Sequence, residues 1–418
     1  MSASLLLLTV SRFSASMAMM IYAGSLPFLL DEWRMSGAEA GAIQSVFNIT
    51  YAVSLLVTSW LSDHLGAKRV FLASNACSVF AFLAFALAAH SHESALILYG
   101  LVGLSLGGSY TPALMLVAEQ VPPHARGRAM GLILAGSSLG YCAAIALAAA
   151  SIPKIGYQST WLIVASVLAA GLAASIAALS REPNRIHRRE ASVAPAPKFS
   201  DSLLSRQSIL LTAGYTAHCW ELLGMWAWAP AFLTIALTTQ IGWPAVTLGV
   251  VVACVLHLSG AVSTLLSGSL SDRIGRRSVL VGMALAGAAL SFVFGWGASW
   301  GPAVLLLLAA LYGFATIADS GVLTAAMTES VAPRHLGSML ALRSILGFGA
   351  GAVAPLVFGL VLDLTNPGQG APQNWGWAFA VLGVGGALAT LFALLLPKAD
   401  TIVLKHAGLR QSVDDPSR

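Results

Sequence analysis

Residues 61–70 read LSDHLGAKRV and residues 270–279 read LSDRIGRRSV. The same charged phrase stands twice, 209 residues apart in a chain of 418, although charged residues make up only 9% of the composition. Ser62-Asp63 matches Ser271-Asp272, Gly66 matches Gly275, and each glycine is followed by a basic pair, Lys68-Arg69 and Arg276-Arg277. A repeat at half the chain length marks a duplicated unit.

What surrounds the phrase sets the solvent of the fold. The chain is 57% hydrophobic with a mean hydropathy of +0.80, and its apolar runs are helix-length. A crossing of a bilayer takes ~20 apolar residues. In lipid each backbone N–H and C=O must be bonded internally, so such runs are expected to be helices. Cut at charge clusters and Gly/Pro turns, they give twelve candidate spans near 5–30, 38–61, 70–90, 95–118, 129–150, 159–179, 208–237, 245–270, 279–297, 303–328, 338–362 and 376–396. MSASLLLL has no basic n-region and its apolar run continues to Leu30, so a retained first helix is expected rather than a cleaved signal. Cys77, Cys142, Cys219 and Cys254 fall inside apolar runs without CxxC spacing, which indicates neither a disulfide framework nor a zinc site.

The expected organisation is an N-terminal six-helix bundle over 1–180, a cytoplasmic linker over 181–207, a C-terminal six-helix bundle over 208–397, and a tail over 398–418. With both termini inside, eighteen of the 22 Lys and Arg fall in cytoplasmic segments, while the outer loops hold Arg34 and Lys154. That asymmetry follows the positive-inside rule. It also accounts for the formal charge of +5 without a nucleic-acid partner, because the charge is spread over loops facing the inner leaflet.

The halves correspond beyond the loop phrase. LLTVSRF matches LLTAGYT, with Thr9 over Thr212 and, further on, Pro27 over Pro230. In spans four and ten Gly103 lies over Gly313, Glu119 over Glu329, Pro123 over Pro333 and Gly127 over Gly337. Twelve spans, two six-helix halves, a central basic loop and LSDxxGxxR after spans two and eight resemble the major facilitator superfamily. The resemblance implies an all-α membrane protein of two pseudo-symmetric bundles that rock about a central site, giving alternating access.

An Asp at the cytoplasmic end of a span can accept from the exposed N–H groups of a neighbouring helix that begins there. The resemblance implies that Asp63 latches the start of span eleven and Asp272 the start of span five, holding an outward-open state. Arg69, Arg126, Arg276 and Arg277, with Glu119 and Glu329 at the cytoplasmic ends of their spans, complete this gate; the basic residues also serve as topology signals. The first copy departs from the usual pattern at His64 and Ala67, so its charge network is expected to be the weaker.

A charge at mid-bilayer costs ~3 kcal/mol on insertion scales, so each is a functional candidate. Two acids qualify, Glu221 in span seven and Asp319 in span ten. His218 lies one turn from Glu221, and His257 falls near the middle of span eight. The matching positions in the first half are neutral: Ala18, Ser109 and Asn48. This asymmetry suits proton coupling, with Glu221 as main carrier and His218, Asp319 and His257 as further candidates. A neutral Glu or His packed between helices is the bland alternative. Arg12 and Arg343 lie close enough to the cytoplasmic ends of their spans to snorkel, whereas turned inward a guanidinium would suit a carboxylate. Gln44, Asn48 and Tyr51 form a polar stripe on span two; Tyr22, Tyr141 and Trp228 join them as candidate substrate contacts.

The function expected is proton-coupled uptake of a small organic solute, preferentially an anion, by a monomer in the cell's inner membrane. Proton-driven efflux of drugs or toxic metabolites is the alternative, although span five, GLILAGSSLGYCAAI, lacks the Gly-Pro of many proton antiporters. A divalent metal or chelate held by His218, Glu221, His257 and Asp319 is a third. Neither a cofactor nor an enzymatic activity is expected, since the sequence has no nucleotide loop and no nucleophile elbow.

Overall fold

The computed structural model describes residues 3–121, 123–186, 205–331, 333–368 and 374–397. Much of the expected linker and the whole tail lie outside them. Among the described residues no strand occurs, and eleven helices are long and apolar enough to cross a membrane. In order they are α1 (Ala3–Glu32), α2 (Gly37–Leu65), α3 (Ala67–Ala88), α4 (His92–Leu106) running through a 3-10 turn into α5 (Thr111–Gln120), and α6 (Pro123–Leu179). The second half follows with α7 (Arg206–Thr238), α8 (Ala245–Ile274), α9 (Arg276–Phe294), α10 (Pro302–Ser330), α11 (Pro333–Thr365) and α12 (Gly376–Leu395). The helix α6 accounts for the difference from the twelve expected spans. Its 57 residues contain Gly156 at φ 77°, ψ 164°, a non-helical break. Unbroken, it would run ~85 Å at 1.5 Å per residue, nearly three times a hydrocarbon core.

The duplicated sequence builds duplicated packing. A Cβ on Gly103 of α4 would lie 2.5 Å from the Phe47 carbonyl oxygen of α2, and one on Gly313 of α10 would lie 2.7 Å from that of Leu256 on α8. The paired glycines let those helices approach to backbone contact. Gly66 and Gly275 turn the two LSD loops at φ 88° and 90°, where a side chain would be strained.

At this basic-loop end the two copies make related bonds. Lys68 donates at 2.6 Å to the Glu182 carbonyl, just beyond the end of α6, and Arg277 at 2.8 Å to the Leu394 carbonyl in the last turn of α12, where a cation also meets the negative end of the helix dipole. Arg276 joins Asp272 at 2.5 Å and Glu329 at 2.8 Å. The first copy has Ala67 in register with Arg276, and there Asn184 takes over, accepting from the Arg69 N–H at 3.3 Å and donating to the Leu65 carbonyl at 2.8 Å. Asp63 is exposed. The side chains at the starts of α6 and α11, to which the resemblance assigns the two aspartates, and Arg126 with them, lie outside the described residues.

The opposite end is where the described contacts between halves concentrate. Asp363 near the end of α11 accepts from the backbone N–H groups of Gly37 and Ala38 at 2.6 and 2.8 Å, capping α2 from the other half. One turn inward a Cβ on Gly41 would overlap the Pro355 carbonyl. Pro355 has no N–H of its own, and that of the next residue, Leu356, donates across the seam to Ser45 Oγ at 3.1 Å. The seam reaches Tyr51, whose ring stands edge-on to Phe348 at 6.3 Å. On the other side Gly249 of α8 packs against Ala149 of α6, and Cys142 Sγ donates to the Ala253 carbonyl at 3.4 Å. Gly41→Leu is therefore expected to wedge α2 from α11 and stop turnover while the protein still folds and inserts. Transport at the wild-type rate would contradict the contact.

Candidate functional site

Both arginines that could have snorkelled are turned inward. Arg12 is 5% exposed and Arg343 6%. Arg12 Nε donates to Ser137 Oγ at 2.7 Å and Nη1 to Ser109 Oγ at 3.3 Å, and its guanidinium lies 4.9 Å from the centre of the Tyr110 ring. Those partners come from α6 and from the 3-10 turn between α4 and α5, so two segments of the first half grip the side chain. A short reach to the surface thus did not decide its direction; hydroxyls and an aromatic face inside the bundle did.

Arg343 comes from the second half. Its Nη2 donates to Thr324 Oγ1 at 3.2 Å, and it sits 4.1 Å over the Tyr215 ring. Its Nε and Nη1 are buried without a hydrogen-bond partner. Tyr110 is an electrostatic neighbour of both guanidinium groups, which brings one cation from each half towards the same ring. Tyr51 and Tyr141 border Arg12 in the same way. The hydrogen-bond partners of both arginines among the described residues are neutral hydroxyls. Buried charges are ordinarily paired, so this pocket is short of negative charge.

The polar stripe on α2 is present but partly self-satisfied. Gln44 Nε2 donates to Asn48 Oδ1 at 3.1 Å, while Gln44 Oε1 has no partner. Two expected substrate contacts have other work. The Tyr22 hydroxyl donates to the Ala40 carbonyl at 3.0 Å and its ring packs on Tyr99, holding α1 to α2. Trp228 is fully buried, donates to the Pro355 carbonyl at 3.0 Å and stacks on Phe358, pinning α7 to the bend of α11. In this structure the polar atoms of both are spent on backbone.

The titratable groups of the second half divide into two sets. His218 Nδ1 lies 2.8 Å from Asp319 Oδ1, joining α7 to α10, and its Nε2 lies 2.8 Å from Ser320 Oγ. The Tyr215 ring stands 5.9 Å from that imidazole, so the pair backs directly onto the arginine pocket. Glu221 faces the other way. Ser291 Oγ is 2.6 Å from its Oε1 and 2.6 Å from the Tyr312 hydroxyl, and with one proton it donates to the carboxylate while accepting from the tyrosine. A Cβ on Gly386 would come within 2.7 Å of the carboxylate, so Glu221 fills space that α12 leaves open inside the bundle. His257 lies apart, among Tyr141 and Trp226. Among the described residues no three His, Cys, Asp or Glu side chains gather closely enough to hold a metal ion.

An apolar recess of about 680 Å³ lies between α7, α11 and α12, with Trp220, Thr212, Leu346 and Leu388 in its walls. It opens where Leu346 and Leu388 face outward.

Sequence reading missed Tyr110, Ser137, Thr324 and Tyr215, the groups that orient the two cations. Tyr215 had a signal, since it stands in register with Arg12 in the repeat. Asp363 had one too: an acid eight residues beyond Pro355 in an otherwise apolar run.

Comparison with known proteins bears on the whole chain. A sequence model of the Major Facilitator Superfamily matches residues 8–235 and 221–412. A protein of Cupriavidus pinatubonensis named "Probable 4-methylmuconolactone transporter" is 25% identical, over 94% of this chain and 90% of its own. The cis,cis-muconate transport protein of Acinetobacter baylyi is 26% identical, over 88% of this chain and 89% of its own. In structure the chain superposes on the nucleoside transporter NupG with a TM-score of 0.76 over 94% of its length and 99% of that protein's, at 15% identity.

Proposed function

Since the chain belongs to the major facilitator superfamily, we propose that it is a multi-pass carrier that takes up small unsaturated organic carboxylates together with protons. In this reading α6 makes two crossings, for twelve in all. The basic-loop end faces the cytoplasm, and the monomer works in the inner membrane by alternating access. The observation that carries the anion assignment is the pair of buried guanidinium groups, one from each half, held by neutral hydroxyls. A carboxylate between them supplies the missing charge, and because the two arginines ride on different bundles it also couples solute binding to their relative motion. The muconate-type solutes named for the two relatives are carboxylates of this kind.

Protons are assigned to the second half. The His218–Asp319 pair touches the arginine pocket through Tyr215, and Glu221 with Ser291 and Tyr312 lies behind it. Symport requires a proton-carrying group close to the solute's charge, and the His218–Asp319 pair stands across the Tyr215 ring from Arg343. Asp319→Asn is expected to abolish accumulation driven by a pH gradient, a loss of tenfold or more, yet to retain solute counterflow, and Glu221→Gln to do the same. Proteoliposome uptake with and without an imposed gradient measures both. Either variant that keeps full gradient-driven accumulation removes its carboxylate from the proton path.

The apolar recess favours a second reading, export of a lipophilic solute entering from the bilayer through α7, α11 and α12. Two buried cations at the centre oppose it for cationic drugs, so the carboxylate reading stands first.

A further inference from the structure

The geometry points to a second polar subsite beside the arginine pocket, made by Trp226 and His257 beside Tyr141, which receives a hydrogen-bond acceptor on the end of the solute opposite its carboxylate. The inference rests on the carboxylate reading above and goes beyond it. It makes the preferred solute bifunctional.

Three helices meet at this point. Tyr141 comes from α6 in the first half, Trp226 from α7 and His257 from α8 in the second. Their rings form a triangle: 5.5 Å from Tyr141 to Trp226, 5.3 Å from Tyr141 to His257, and 6.0 Å from Trp226 to His257. Tyr141 is at the same time an electrostatic neighbour of Arg12. The subsite therefore adjoins the arginine pocket.

Two polar atoms here have no partner. Trp226 Nε1 and His257 Nε2 are both buried without a hydrogen bond, and His257 is only 3% exposed. Buried polar groups are almost always bonded, and an orphan calls for an explanation. Two neighbouring orphans on a wall shared by both halves are explained by a ligand that bonds them. An indole N–H can only donate, so the group it meets must accept. An imidazole nitrogen donates in one tautomer and accepts in the other, so His257 adapts to the acceptor that Trp226 selects. The surrounding rings prefer a flat partner that offers a π face. A carboxylate, lactone carbonyl or ring nitrogen on a planar unsaturated skeleton meets each requirement; an aliphatic or aryl terminus leaves both nitrogens bare. The site discriminates by the cost of that unpaired state, the stronger form of specificity.

The test uses two dienoic acids differing only at the far end: trans,trans-muconate, with a second carboxylate, and sorbate, with a methyl group. The readout is the ratio of their kcat/KM values in proteoliposomes, which cancels changes in the amount of folded carrier. Wild type is expected to favour muconate by about tenfold or more, the worth of a hydrogen bond to a charged group. Trp226→Phe and His257→Phe are each expected to reduce that ratio by about tenfold, and His257→Gln, which keeps a donor and an acceptor, to restore most of it. If the variants slow both acids and leave the ratio unchanged, the aromatic cluster is packing and the subsite is overturned, while the carboxylate reading survives. A wild-type protein that carries neither acid overturns the parent reading, and this inference with it.

Discussion

Arg343→Gln is expected to lower carboxylate transport by at least ~100-fold, with the protein still folded and in the membrane. Its Nε and Nη1 are the unspent donors of the pocket, already buried and fixed by stacking on Tyr215 and by the bond to Thr324. A substrate carboxylate taking one of them together with the Nη2 N–H that Thr324 leaves free would make a bidentate pair. Each bond to a charged group is worth about 1.5–3 kcal/mol, and tenfold in affinity corresponds to about 1.4 kcal/mol. Arg343→Lys keeps the charge but not the planar fork, so it should recover only part of the loss. Arg12→Gln should cost transport too, but by disturbing Ser109, Ser137 and Tyr110 as well, which makes it the less clean test. Binding of a labelled carboxylate to detergent-solubilised protein separates affinity from turnover. Near-normal binding by Arg343→Gln would remove this side chain from the substrate site.

The second large effect is conformational. Asp363→Ala is expected to shift the carrier by at least tenfold away from the state described, in which α2 and α11 meet at the end opposite the basic loops. The first N–H groups of a helix have no partner within it, and a carboxylate there also meets the positive end of the helix dipole. α2 has two such caps. Its own Ser36 and Glu39 form a capping box. Asp363 covers Gly37 and Ala38 from the other bundle, so only this second cap depends on the halves being together. Losing it removes two charge-assisted bonds from one conformation and leaves the other untouched. Spin labels at Arg34 and Leu364, both exposed, report the separation of α2 and α11 by pulsed electron resonance. The wild type should show a short distance and the variant an added longer population. An unchanged distribution would mean that Asp363 is not a latch.

These two sites show what the sequence carried and what it did not. The bundle was legible because lipid leaves the backbone few options: an apolar run of helix length, cut by charge, has to be a helix. The duplication was legible because both halves keep the same glycines where their helices touch. The boundary of α6 was blurred by its one irregular residue, Gly156, within an otherwise continuous helix. The candidate site was legible only as a set of costly residues. Sequence flagged Arg12 and Arg343 as out of place but could not tell whether they turned out or in, since that depended on Ser137, Ser109 and Tyr215, which look ordinary in their own helices. Glu221 and Asp319 read alike as mid-membrane acids, yet one faces α9 and α12 while the other meets His218 near the arginines. Side-chain direction across an interface is a tertiary property, and a single chain of letters does not encode it locally.

The most direct measurement of the central claim is the pH inside proteoliposomes when a carboxylate is added outside. Muconate suits it, because a doubly charged acid leaks through a bilayer slowly. Wild-type protein is expected to give a saturable internal acidification that protein-free vesicles lack and that is lost in Arg343→Gln and in Asp319→Asn. Muconate entry without acidification would contradict the coupling. Silence towards carboxylates, with proton release from acid-loaded vesicles when a lipophilic cation is added, would contradict the account as a whole and establish the chain as an exporter.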